Sequence, residues 1–259
     1  MGLLAQEATT GIAAAVSQLS VLLAALLVMS WRARAAFRRV GWRRGPALAY
    51  LGVLAVTFTL VTVANLLSVQ LGWMQWQAQV KLNQVAVSLL FAFLFSCICA
   101  FAEELGWRGF LLPTLLPLGT RRALLTSGVL WFLWEAPLVM GGVLYPKMGA
   151  ASLVGALVLH FCQVCAVAIL YGYLRLRFMS VWLPAFAHAV LNTLGAASIM
   201  LLATTNPRWA GFGGPIGLAS VVLLAGWVFW RLPSLLQGEF DRAPLPTPTV
   251  ANKSGSSPH

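Results

Sequence analysis

A chain of 259 residues that is 60% hydrophobic and only 9% charged is not a soluble domain, in which roughly a quarter of the residues are charged. The net charge of +11 does not indicate a nucleic-acid partner, because Lys and Arg fall between long apolar runs and form no basic stripe with interleaved aromatics. The runs are far longer than barrel strands, so the expected fold is an all-α polytopic integral membrane protein. It has about seven transmembrane helices plus a short re-entrant or interfacial segment.

The first residues, MGLLAQEATT, carry an acid and no Lys or Arg, unlike a secretory signal. Apolar runs follow at 11–31, 46–69, 84–105, 123–144, 151–174, 179–203 and 213–230. Each is near or above the ~20 residues that cross a hydrocarbon core. The loop 32–45 holds Arg32, Arg34, Arg38, Arg39, Arg43 and Arg44 and is expected on the cytoplasmic side. Alternation then puts Arg108, Arg121, Arg122, Arg175, Arg177, Arg231, Arg242 and Lys253 inside. Only Lys81, Lys147 and Arg208 fall outside. The implied topology is a multi-pass protein of the inner (plasma) membrane, N-terminus outside and C-terminus cytoplasmic.

Residues 109–118, GFLLPTLLPL, are too short to span and are interrupted by Pro113 and Pro117. They are expected to be the re-entrant or interfacial segment. The domain division is 1–83, a two-helix region with the basic loop; 84–203, a core; 204–231, a last helix; and 232–259, a Pro- and Ser-rich tail expected to be disordered. Cys97, Cys99, Cys162 and Cys165 lie in apolar runs and read as small fillers. Ser180 reads as a helix N-cap.

Ionisable groups at membrane depth cost roughly 2.5–3.5 kcal/mol each on insertion scales and face protein interiors or wet cavities. Here they are Glu103, Glu104 and Arg108 at the end of the third run, Glu135 in the fourth, His160 in the fifth, and His188 with Asn192 in the sixth. Glu104 and Arg108 are spaced i, i+4 and are expected to pair in a supporting role. Glu103 points about 100° away and is left for another role. His188 and Asn192 share one helix face. His160 has only Gln163 at helical spacing and reads as structural. Glu103, Glu135, His188 and Asn192 are the candidate catalytic set, in a polar cavity expected to open to the cytoplasm. A carboxylate can take a proton from water, and His and Asn can donate to a developing oxyanion.

With EELGWR at 103–108, its continuation RGFLLP, and HAVLN at 188–192 preceded by SVWLPAFA, the chain resembles the CPBP intramembrane proteases, the CAAX protease and bacteriocin-processing (ABI) family. The resemblance covers roughly residues 84–203. It implies an intramembrane endopeptidase in which Glu103 activates a water and His188 with Asn192 stabilises the oxyanion. The substrate would be a membrane-associated protein or peptide, with no cofactor required. The family's second motif, FxxxH, is altered. Trp131 stands at the Phe place and Glu135 at the His place, in WFLWEAP.

Three readings of Glu135 stay open. In the favoured one it replaces His as the second group on the water, sharing a proton with Glu103. In the next, catalysis is lost and the chain serves as a membrane scaffold or bacteriocin-immunity-type factor. In the least favoured, Glu103, Glu135 and His188 bind a divalent metal. A small proton-coupled transporter ranks lower still, because the chain shows no inverted repeat.

Overall fold

The computed structural model describes residues 20–24, 26, 27, 30, 40–142, 150–206 and 210–240. Most of the first apolar run, most of the basic loop and the tail beyond 240 lie outside the described residues. Among the described residues seven α-helices have both ends defined, in order: α1 (Ala47–Gln70), α2 (Leu82–Glu104), α3 (Leu112–Leu115), α4 (Thr120–Met140), α5 (Ala150–Phe178), α6 (Trp182–Leu201) and α7 (Pro215–Phe240). Among the described residues six helices are long and apolar enough to cross a membrane, the second counted from Leu82 through Leu118. The chain is a multi-pass membrane protein. Helices are the natural outcome, since lipid offers the backbone no partners and a helix satisfies its own groups.

Leu48, Leu51, Phe91, Phe95, Ile98, Val154, Ile199 and Leu223 point outward, while small residues and the polar groups point inward. The centre of the bundle is α5 and α6. α6 packs against α2 and α1, and α5 against α4 and α7. Small residues permit this closeness. On α6, Ala185, Ala187 and Ala189 are buried. On α5, a Cβ at Gly172 would lie 2.1 Å from Leu124 Cδ2 of α4.

Two short strands close one end of the bundle. β1 (Met74–Trp76) pairs antiparallel with β2 (Leu202–Thr204), with Met74 opposite Thr204 and Trp76 opposite Leu202. They tie the α1–α2 connection to the end of α6. The arginines gather at the opposite end. There the Arg121 guanidinium donates to the Trp230 carbonyl (3.1 Å), Arg175 to the Arg108 carbonyl (3.1 Å), and the Trp182 indole to the Trp42 carbonyl (3.2 Å).

Two expectations change, and a third takes its form: the segment 109–118, expected as re-entrant or interfacial, is a helical continuation of α2. α2 widens into a π-helical stretch, Leu105–Leu111, and runs on through α3 and a 3₁₀ turn, Leu116–Leu118. At 1.5 Å per residue this rod exceeds the hydrocarbon thickness. The last helix does not stop at 231 but continues to Phe240, because Leu232 and Leu236, one turn apart, bury themselves in the core. Ser180 is not the cap of α6. Val181 holds that position and no side chain caps the helix.

Candidate active site

The polar groups form two layers. The inner layer is built where α2 passes into the π-helical stretch, a distortion often found at functional sites. Glu104 and Arg108 remain one turn apart, and Arg108 Nη1 donates to Glu104 Oε1 at 2.8 Å with both side chains fully buried. The guanidinium lies over the ring of Trp131 (4.3 Å to the centroid) and that of Tyr171 (5.2 Å). Such desolvated cation–π contacts are worth about 2 kcal/mol. The same Glu104 oxygen is 3.1 Å from His188 Nδ1 of α6. Glu104 is thus a bridge between Arg108 and His188, and it fixes the imidazole by one ring nitrogen. The ring also sits among aromatics, 5.5 Å from Trp131 and 5.7 Å from Tyr171, centroid to centroid.

Glu103 is buried, 3% exposed. It lies within electrostatic reach of His188, Glu135, Glu104 and Arg108. The imidazole of His188 bonds to Glu104.

The outer layer is a second carboxylate–imidazole pair. Glu135 Oε2 of α4 is 2.8 Å from His160 Nε2 of α5, and the side chains are 19% and 11% exposed. One turn along α5, Gln163 Nε2 donates to the Phe212 carbonyl (3.1 Å). His160, read from sequence as structural, is therefore part of the polar cluster. Its signal was hidden because its partner sits on another helix.

A cavity of about 830 Å³ joins the layers. Its walls include Trp131, Glu135, His160, Gln163, Tyr171, His188 and Asn192. Three of the four expected catalytic residues, Glu135, His188 and Asn192, face it, and Glu103 is not on its wall. The lining also takes in Met74, Leu202, Thr204 and residues 210–213. The cavity therefore reaches the β1–β2 end of the bundle, not the arginine-rich end as the sequence suggested. Among the described residues no group of three His, Cys, Asp or Glu side chains is placed to hold a metal ion.

Residues 83–194 match the sequence family described as Type II CAAX prenyl endopeptidase Rce1-like. The matched span holds EELGWR, Glu135, His160 and HAVLN, and it bears out the resemblance read from those motifs. A search of curated proteins returned no match.

Proposed function

From a core that matches a family of membrane endopeptidases, we propose that this chain is an intramembrane hydrolase. It cleaves peptide bonds of membrane-associated proteins or peptides through a Glu-activated water. The observation that carries the reading is the common cavity wall of Glu135, His188 and Asn192, with Glu103 in electrostatic reach of Glu135 and His188. Glu135, on the cavity wall, meets the water, and Glu103, buried and off that wall, acts on it through its charge beside Glu135 and His188. General-base assistance of this kind contributes about 10²–10⁴-fold. His188 and Asn192 donate to the oxyanion, each worth about 10²–10³ in kcat. Glu104 and Arg108 hold His188 in place. No step is assigned to a metal. The chain resides in an inner (plasma) membrane, with its arginine-rich end cytoplasmic.

One observation favours a second reading, that of a silent relative acting as a membrane scaffold or immunity-type factor: Glu135 stands where the family motif has histidine.

The test is cleavage of a quenched, membrane-tethered peptide by the reconstituted protein. Wild type is expected to cleave it, and Glu103→Ala and His188→Ala to lose activity. Cleavage by Glu135→His but not by wild type supports the silent relative. Unchanged activity in Glu103→Ala removes that carboxylate from the mechanism.

A further inference from the structure

Resting on the hydrolytic reading, we infer that Glu135 is the carboxylate that takes the proton from the attacking water, and that His160 is its positioning residue. Two carboxylate–imidazole pairs meet the cavity, and they differ in what they are free to do. The Glu104 carboxylate is fully buried and one of its oxygens already serves both Arg108 and His188. Its place in the fold is fixed. Glu103 is buried and off the cavity wall. Glu135 alone among the three is on the wall, with its side chain 19% exposed. A base must come within hydrogen-bond reach of the proton that it removes, and only Glu135 borders the space where a peptide and a water would sit.

A glutamate on a helix has three rotatable side-chain bonds. His160 removes much of that freedom by holding Oε2 at 2.8 Å, which leaves Oε1 for the water. The His160 ring is itself seated beside Phe132, at 6.2 Å between centroids, on α5, the helix that packs against α4. The imidazole that the second motif lacks at position 135 is thus supplied from a neighbouring helix, as a support for the acid that replaced it.

The step balances as follows. One O–H bond of the water breaks and its proton goes to Glu135, while the water oxygen bonds to the scissile carbonyl carbon. The carbonyl electron pair moves onto oxygen, toward His188 and Asn192. Glu135 then returns the proton to the departing nitrogen as the C–N bond breaks. The products are one carboxylic acid and one amine.

The experiment compares His160→Leu, His160→Gln, Glu135→Gln and the double variant Glu135→Gln/His160→Leu. The protein is full-length and reconstituted, the substrate is a membrane-tethered quenched peptide, and kcat, KM and melting temperature are read for each. His160→Leu removes the donor and is expected to lower kcat about 10–100-fold with KM nearly unchanged. That is a loss of orientation and not of binding. His160→Gln keeps an N–H donor and is expected to recover most of kcat. Glu135→Gln is expected to fall furthest, about 10²–10⁴-fold. Adding His160→Leu to it should cost nothing more, because His160 acts through Glu135. Wild-type kcat in His160→Leu, or equal losses in the Leu and Gln variants, overturns the positioning role. So does an additive loss in the double variant. Wild-type kcat in Glu135→Gln overturns the base assignment. In all of these wild type still cleaves and the hydrolytic reading stands. Failure of wild type itself to cleave overturns both.

Discussion

Replacing Arg108 with alanine takes away the cation beside a fully buried carboxylate. Arg108 and Glu104 are both at 0% exposure and 2.8 Å apart, so neither charge can turn to water. Breaking one side of such a pair costs about 3–5 kcal/mol, because the remaining charge stays buried. The lost contact with the Trp131 face adds up to about 2 kcal/mol. Against this, Glu104 keeps His188 at 3.1 Å, which holds the total near 3–5 kcal/mol rather than the full sum. In a chain of this size 1 kcal/mol moves the melting temperature by about 2–4 °C, so the expected drop is roughly 6–20 °C. The assay is thermal unfolding of the detergent-solubilised protein, followed by tryptophan fluorescence. The double variant Arg108→Met/Glu104→Gln removes both charges and is expected to recover part of the loss. A drop of less than about 2 °C in Arg108→Ala, or a double variant worse than the single one, refutes the buried-pair reasoning.

Other substitutions test the packing and the site. Gly172→Ala puts a methyl 2.1 Å from the buried Leu124 Cδ2. Overpacking of about 1–3 kcal/mol outweighs a helix-propensity gain of at most about 1 kcal/mol, so denaturant unfolding should show a net loss. Gly41 has φ +88°, and its Cβ would lie 2.5 Å from the Arg175 guanidinium carbon. Gly41→Ala is expected to displace Arg175 and lower the melting temperature. Leu236→Ala opens a cavity in the helix end beyond 231 and is expected to cost about 2–5 kcal/mol; a silent result would detach that end from the core. Asn192→Ala is expected to lower kcat about 10²–10³-fold with little change in stability, read by parallel activity and melting measurements.

The spans were legible because length and apolarity set them. The run 46–69 became Ala47–Gln70, and 84–105 became Leu82–Glu104. The Glu104–Arg108 pair was legible because i, i+4 spacing puts both side chains on one face. What the sequence hid was every choice of partner across helices. Helical spacing gave Glu104 to Arg108, and nothing in it showed that the same carboxylate also takes His188 of α6. His160 looked solitary because Glu135 is 25 residues away on α4. The π-helical turn leaves no mark in GWRGF, and the rings that the Arg108 guanidinium lies over, Trp131 and Tyr171, come from other helices. The end at which the cavity emerges depends on β1 and β2, which are three residues each and too short for a pattern.

The central claim is peptide hydrolysis by a water held at the cavity wall. Its most direct test is cleavage of a membrane-tethered peptide in water enriched in heavy oxygen, with mass spectrometry of the fragments. The expected result is a single cleavage whose new carboxyl terminus carries one heavy oxygen in wild type, with the same fragment formed about 10²–10⁴-fold more slowly by Glu135→Gln. The contradicting result is no fragment from wild type, or a fragment whose new carboxyl terminus carries no heavy oxygen.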